Sequence, residues 1–112
     1  MRDFTFSEYQ EQAAKTARYP DVGNNYVYPT LGLTGEAGEV ADKIKKIIRD
    51  KGGKLSTEDV TEISKELGDV LWYISTLCSE LKLDFGAVAS ANINKLFSRK
   101  ERGVIGGGGD NR

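Results

Sequence analysis

The stretch GEAGEVADKIKKIIRDKGGKLSTEDVTEISKELGDV, residues 35–70, has an acidic pair near each end and a glycine pair in the middle. Glu36 and Glu39 stand three residues apart, and Glu66 and Asp69 repeat that spacing beyond Gly52 and Gly53. Between these landmarks the apolar residues recur at intervals of three and four, the period of a helix. Two helices joined by so short a turn pack antiparallel, so the stretch predicts a helical hairpin.

In that hairpin the two acidic pairs meet. At ~100° of rotation per residue, Glu36 lies roughly 80° to one side of its helix's apolar stripe, and Glu39 about 60° further round. Glu66 lies roughly 70° to the same side of its own stripe, and Asp69 about 60° further. An antiparallel pair has a local two-fold perpendicular to its axes, so equal offsets of the same sense fall on one side. Height agrees too: Glu39 and Glu66 are equidistant from the glycine pair, as are Glu36 and Asp69. The spacing therefore predicts one cluster of four carboxylates at the edge of the core.

Such a cluster repels itself. Two like charges ~5 Å apart at an effective dielectric near 20 repel by about 3 kcal/mol, and four carboxylates contain several such pairs. Hard divalent cations, Mg²⁺ or Mn²⁺, accept carboxylate oxygens while keeping waters, and are the natural neutralisers. The competing reading pairs Glu39 with Lys43 at i,i+4 and leaves all four acids as a solvated face. Two motifs matched in side and height weigh against it, as do Gly35, Gly38 and Gly68, which weaken their helices unless a backbone or ligand must come close.

The rest of the 112-residue chain adds two more helices and no strand. Thr5 and Glu8 have the spacing of a capping box ahead of a first helix over roughly 6–17. The segment RYPDVGNNYVYPT, with Pro20, Gly23 and Pro29, reads as a long connection with aromatic anchors. The second helix is expected from Pro29 to Asp50, and the third starts at a cap formed by Ser56 with Asp59, or by Thr57. Asp84 caps a fourth helix over Phe85 to Arg102. The segment GVIGGGGDNR, residues 103–112, reads as a tail that stays unordered until a ligand or a neighbouring subunit orders it. The whole is an all-α, four-helix bundle: one domain over 1–102 plus a glycine-rich tail.

Composition narrows the chemistry. With 16 Lys and Arg against 17 Asp and Glu, the net charge of -1 supplies no basic field for nucleic acid or an anionic membrane. The complete absence of histidine argues against zinc and Ser-His-Asp chemistry, and one cysteine excludes an internal disulfide. Cys78, central on an apolar stripe, reads as core. No run is apolar enough to span a bilayer and MRDFTFSEYQEQ turns polar at once, which points to the cytosol.

On the fourth helix, Asn92 sits nearly central on the inner face, and Lys95, Arg99 and Arg102 fall in a wedge of about 60° beside it. Following an acidic cluster, these groups suit a polyphosphate, whose oxygens need both a metal and cationic donors. Trp72 lies opposite the apolar stripe of the third helix, which places it at a subunit interface or, next in order, against a base.

Glu36-x-x-Glu39 followed by Glu66-x-x-Asp69 on antiparallel helices resembles the MazG-like nucleoside triphosphate pyrophosphohydrolases, to which all-α dUTPases and phosphoribosyl-ATP pyrophosphohydrolases are related. The likeness runs from YQEQAAKTARYP through LGLTGEAGEVADKIKK and ELGDVLWYI to NINKLFSRKERGVIGGGGDNR. The resemblance implies cleavage between the α and β phosphates, giving a nucleoside monophosphate and pyrophosphate, with Mg²⁺ as cofactor and Mn²⁺ able to replace it. It makes Glu36, Glu39, Glu66 and Asp69 the metal ligands and catalytic acids; Glu39, further from the core and able to reach a water, is the candidate general base, with Glu36 the alternative. It makes Asn92, Lys95 and Arg99 the groups that meet the nucleotide, and it implies a homodimer or homotetramer. A non-catalytic oligomeric module that binds divalent cations is the alternative.

Overall fold

The structure, a computed structural model, describes residues 3–111. Four helices follow in order: α1 (Phe6–Ala14), α2 (Val27–Lys51), α3 (Thr57–Glu80) and α4 (Phe85–Glu101). No strand occurs among the described residues. The architecture is all-α, as the periodicity requires.

Local chemistry sets the helix ends. The Thr5 hydroxyl accepts from the Glu8 amide while Glu8 Oε1 accepts from the Thr5 amide, both at 3.0 Å, a complete capping box on α1. Ser56 and Asp59 make the same reciprocal pair at the start of α3, at 3.1 and 3.0 Å. Asp84 Oδ2 accepts from the Ala87 amide at 3.0 Å and caps α4. Pro29 is buried in the first turn of α2, where its missing N–H deprives no intrahelical acceptor. Gly52 and Gly53 end that helix at φ of 62° and 82°, left-handed values that the side-chain-free residues adopt without steric cost. α1 stops at Ala14, three residues short of the expected end. There the Thr16 side chain turns inward and donates to the Ala13 carbonyl at 2.7 Å.

The principal packing is α2 along α3, the predicted hairpin. α1 lies on both α3 and α4, whereas α4 touches α3 only lightly and, among the described residues, does not approach α2. The radius of gyration is 16.9 Å, against about 13 Å for a compact domain of this length. That openness shows in the exposure of Ile48 (63%) and Leu67 (54%), large apolar residues on faces that the sequence would bury, and of Phe97 (59%), which lies off the inner face of α4. Ala13, Ile47, Cys78 and Phe85 form the buried apolar set, so the reading of Cys78 as core holds.

Gly32 marks the closest approach within the hairpin. A Cβ there would stand 2.1 Å from a ring carbon of Tyr73, so only glycine lets α2 and this ring share the space. Gly35, Gly38 and Gly68, beside the acidic residues, face open space instead. Within one chain their purpose is not the backbone approach suggested by the sequence.

The long connection before α2 is pinned by one side chain. Glu80 Oε2 accepts from the Tyr19 hydroxyl and from the Gly23 amide at 2.8 Å, and Glu80 Oε1 accepts from the Asn25 amide at 2.8 Å. Tyr19 stacks on Tyr28, with centroids 4.7 Å apart. The Tyr19 hydroxyl bond, with the two amides, holds the Glu80 carboxyl below its usual range despite partial burial. Trp72 closes the other side: its indole N–H donates to Thr16 Oγ1 at 2.8 Å and its ring meets Tyr73 edge-on. Trp72 is half-buried by this contact inside the chain. α1 reaches across to the side of α3 that the stripe leaves bare.

Glu80→Ala leaves two amides and a phenol without their acceptor and is expected to destabilise the chain by about 2–3 kcal/mol, read from urea midpoints. Because the folded Glu80 pKa is depressed, its contribution is present above the usual glutamate pKa and disappears as pH falls through the folded value. Parent and variant midpoints should therefore converge on acidification.

Candidate metal centre

The hairpin brings Glu36, Glu66 and Asp69 together. One carboxylate oxygen from each lies within 4.8 Å of the others. Burial follows the angular order read from the sequence: Glu36 and Glu66, nearer the stripes, are half-buried, and Glu39 and Asp69 are exposed. Glu39 stands one turn further along α2, outside the group of three, where its negative charge still acts on Glu36.

The electrostatics show what the group lacks. The Glu36 carboxyl is raised above its usual range, first by a hydrogen bond shared with Glu66, then by desolvation and by the charges of Asp69, Glu66 and Glu39. The charged form of Glu36 is therefore disfavoured where it stands. Lys43 offers partial compensation: its Nζ lies 3.9 Å from Glu66 Oε1 across the hairpin, instead of pairing with Glu39 along its own helix. Three hard oxygen donors with uncompensated charge fit Mg²⁺ or Mn²⁺ and suit soft metals poorly.

Two tyrosines missed by the sequence reading border the cluster. The Tyr73 hydroxyl is raised by burial, by Tyr28 and by the charges of Glu36 and Asp69; Tyr9 is raised by burial and by Asp69. Tyr73 follows Asp69 by four residues and so shares its face, a signal legible in the sequence. Tyr9 arrives from α1 through tertiary packing alone.

The proposed nucleotide contacts lie on α4. Asn92 is exposed, Lys95 is half-buried and Arg99 is 4% exposed. No hydrogen bond or ion pair among the described residues joins them to the three carboxylates. Lys95 and Arg99 instead engage the tail: Asp110 Oδ1 accepts from Lys95 Nζ at 2.9 Å and from Arg99 Nη2 at 3.3 Å.

The family model for the MazG nucleotide pyrophosphohydrolase domain matches residues 29–104, more than half of the chain. The chain belongs to the MazG family. That match contains the hairpin, all four acidic positions and α4. This MazG-family chain is also 49% identical over 109 residues to the Gene 37 protein of Mycobacterium phage L5, covering 93% of this chain and 96% of that one. No solved structure matches it. No helix among the described residues is long and apolar enough to cross a membrane.

Glu36→Gln removes the acid whose charge is least tolerated. In EDTA at pH 7.5 the variant should melt above the parent, because a carboxyl with a raised folded pKa costs stability once pH exceeds its unfolded value. The gap should close as pH falls below the ordinary glutamate range, where the parent carboxyl is protonated in both states. Thermal melts across pH 4–8 read the effect.

Proposed function

We propose that this MazG-family chain is a Mg²⁺-dependent nucleoside triphosphate pyrophosphohydrolase that converts a ribo- or deoxyribonucleoside triphosphate and water into the monophosphate and pyrophosphate. The observation that carries the reading is the convergence of Glu36, Glu66 and Asp69 from both arms of one hairpin. A cation held there supplies Lewis-acid polarisation of phosphoryl oxygens and acidifies a bound water.

The chain's own groups divide the remaining work. Glu36, Glu66 and Asp69 would hold the cation. Glu39, exposed one turn away, is placed to take the proton of the attacking water, with Glu36 as the alternative base. As the α–β phosphoanhydride bond breaks, the leaving pyrophosphate gains negative charge, and Lys95 and Arg99 offset it. Asn92 contributes a neutral hydrogen-bonding contact to the nucleotide. The exposed apolar residues of the hairpin and α4, among them Ile48, Leu67 and Phe97, support assembly as a homodimer or homotetramer. Residues 103–112 form a tail on a single domain. The role we infer is cytoplasmic nucleotide-pool housekeeping, and the near-neutral charge favours no nucleic acid or membrane partner.

The test is a panel of canonical and modified triphosphates with Mg²⁺ and chromatographic identification of products. Monophosphate plus pyrophosphate is expected. Glu39→Gln, Glu66→Gln and Asp69→Asn should each lower kcat/KM at least ~100-fold with helical circular dichroism unchanged. Orthophosphate as the first product contradicts the reaction. Silence across the panel leaves a cation-binding assembly module in its place.

A further inference from the structure

The glycine-rich tail ends on the two cations that the hydrolase reading assigns to phosphate. Gly103, Gly107 and Gly109 adopt φ of 73°, 95° and 84°. These left-handed turns fold the chain back along α4. There Asp110 accepts from Lys95 Nζ at 2.9 Å, and Arg99 Nη2 donates to the Asp110 backbone oxygen at 2.7 Å, to Asp110 Oδ1 at 3.3 Å and to the Gly109 carbonyl at 3.4 Å.

The occupancy is incomplete. The guanidinium hydrogen bonds of Arg99 to the tail all go through Nη2, while its Nε is buried without a partner among the described residues. A guanidinium presents Nε–H and Nη2–H as a parallel fork that fits two oxygens of one phosphoryl group. Asp110 engages one prong of it, from a side chain that is itself 80% exposed. A phosphoryl group brings the second oxygen, more negative charge and room for Lys95, and so outcompetes the carboxylate.

We propose that Asp110 occupies Lys95 and Arg99, the groups already assigned to phosphate, in the free chain, and that a polyphosphate claims the Nε/Nη2 edge of Arg99 by displacing the tail. The inference rests on the hydrolase reading for the identity of the polyphosphate, and on the tail geometry for the displacement. Substrate and product share this chemistry, so inorganic pyrophosphate in EDTA serves as the probe.

Full-length ¹⁵N-labelled protein is titrated with pyrophosphate, and the amide resonances of Gly106 to Gly109 are followed. Release of the tail should shift and sharpen them as binding saturates, and Arg99→Gln should abolish saturable binding. Asp110→Asn should bind pyrophosphate about fivefold more tightly than the parent, the scale of an exposed ion pair. Gly107→Val, which strains the left-handed turn without altering charge, should also tighten binding. Glu58→Gln, an equal charge change at the far end of the hairpin, should not. Unchanged affinity in both tail variants overturns the proposal, and so does weaker binding by Asp110→Asn, which would make Asp110 part of the site. A chain without turnover whose tail still yields to pyrophosphate refutes the hydrolase reading alone. A chain with turnover and an undisturbed tail refutes this inference alone.

Discussion

Three carboxylates held at the edge of a helical hairpin are a standing electrostatic cost, and the rest of the structure is arranged around it. The glycine pair at 52 and 53 folds α3 back on α2, the Ser56–Asp59 box fixes where α3 begins, and the equal heights of Glu36 and Asp69 follow. The hydrogen bond with Glu66, desolvation and the neighbouring charges raise Glu36, and Lys43 of α2 stands 3.9 Å from Glu66 on α3. A hard cation would resolve what a lysine at 3.9 Å only softens.

The second theme is anchoring. The hairpin is long and its partners few, so individual polar contacts hold what an apolar core would hold elsewhere. Glu80 gathers the loop before α2, the Trp72 indole ties α3 to the end of α1, and Ser7 Oγ donates to Asp84 Oδ1 at 2.7 Å to clasp α1 to α4. Ile48 and Leu67 on the hairpin and Phe97 on α4 are apolar residues left outside this framework and exposed. Balanced opposite charges near one another recur at the surface, as in Lys51 with Asp59, and leave the acidic group as the place where like charges crowd.

Much of this was legible in the sequence because it is local. Capping boxes need three residues of spacing, Pro29 in a first turn needs only its own ring, and the facing of Glu36 and Glu66 follows from rotation per residue combined with a short turn. What escaped was carried by contacts distant in sequence. Asp110 reaches Lys95 only because left-handed glycines turn the tail, and four glycines in a row look the same whether they are free or folded back. Trp72 read as an outward residue because the helix wheel of α3 does not show that α1 lies against its other side. Glycines 35, 38 and 68 suggested close backbones, whereas the tight approach belongs to Gly32, whose neighbour Tyr73 is 41 positions away.

The account depends on both arms of the hairpin sharing one cation. The most direct measurement is the anomalous scattering of a crystal grown with Mn²⁺. The account predicts a peak at ~2.2 Å from carboxylate oxygens of Glu36 on one arm and of Glu66 and Asp69 on the other. A map with no peak there, or with the acids of α2 and α3 turned to separate surfaces, would contradict it.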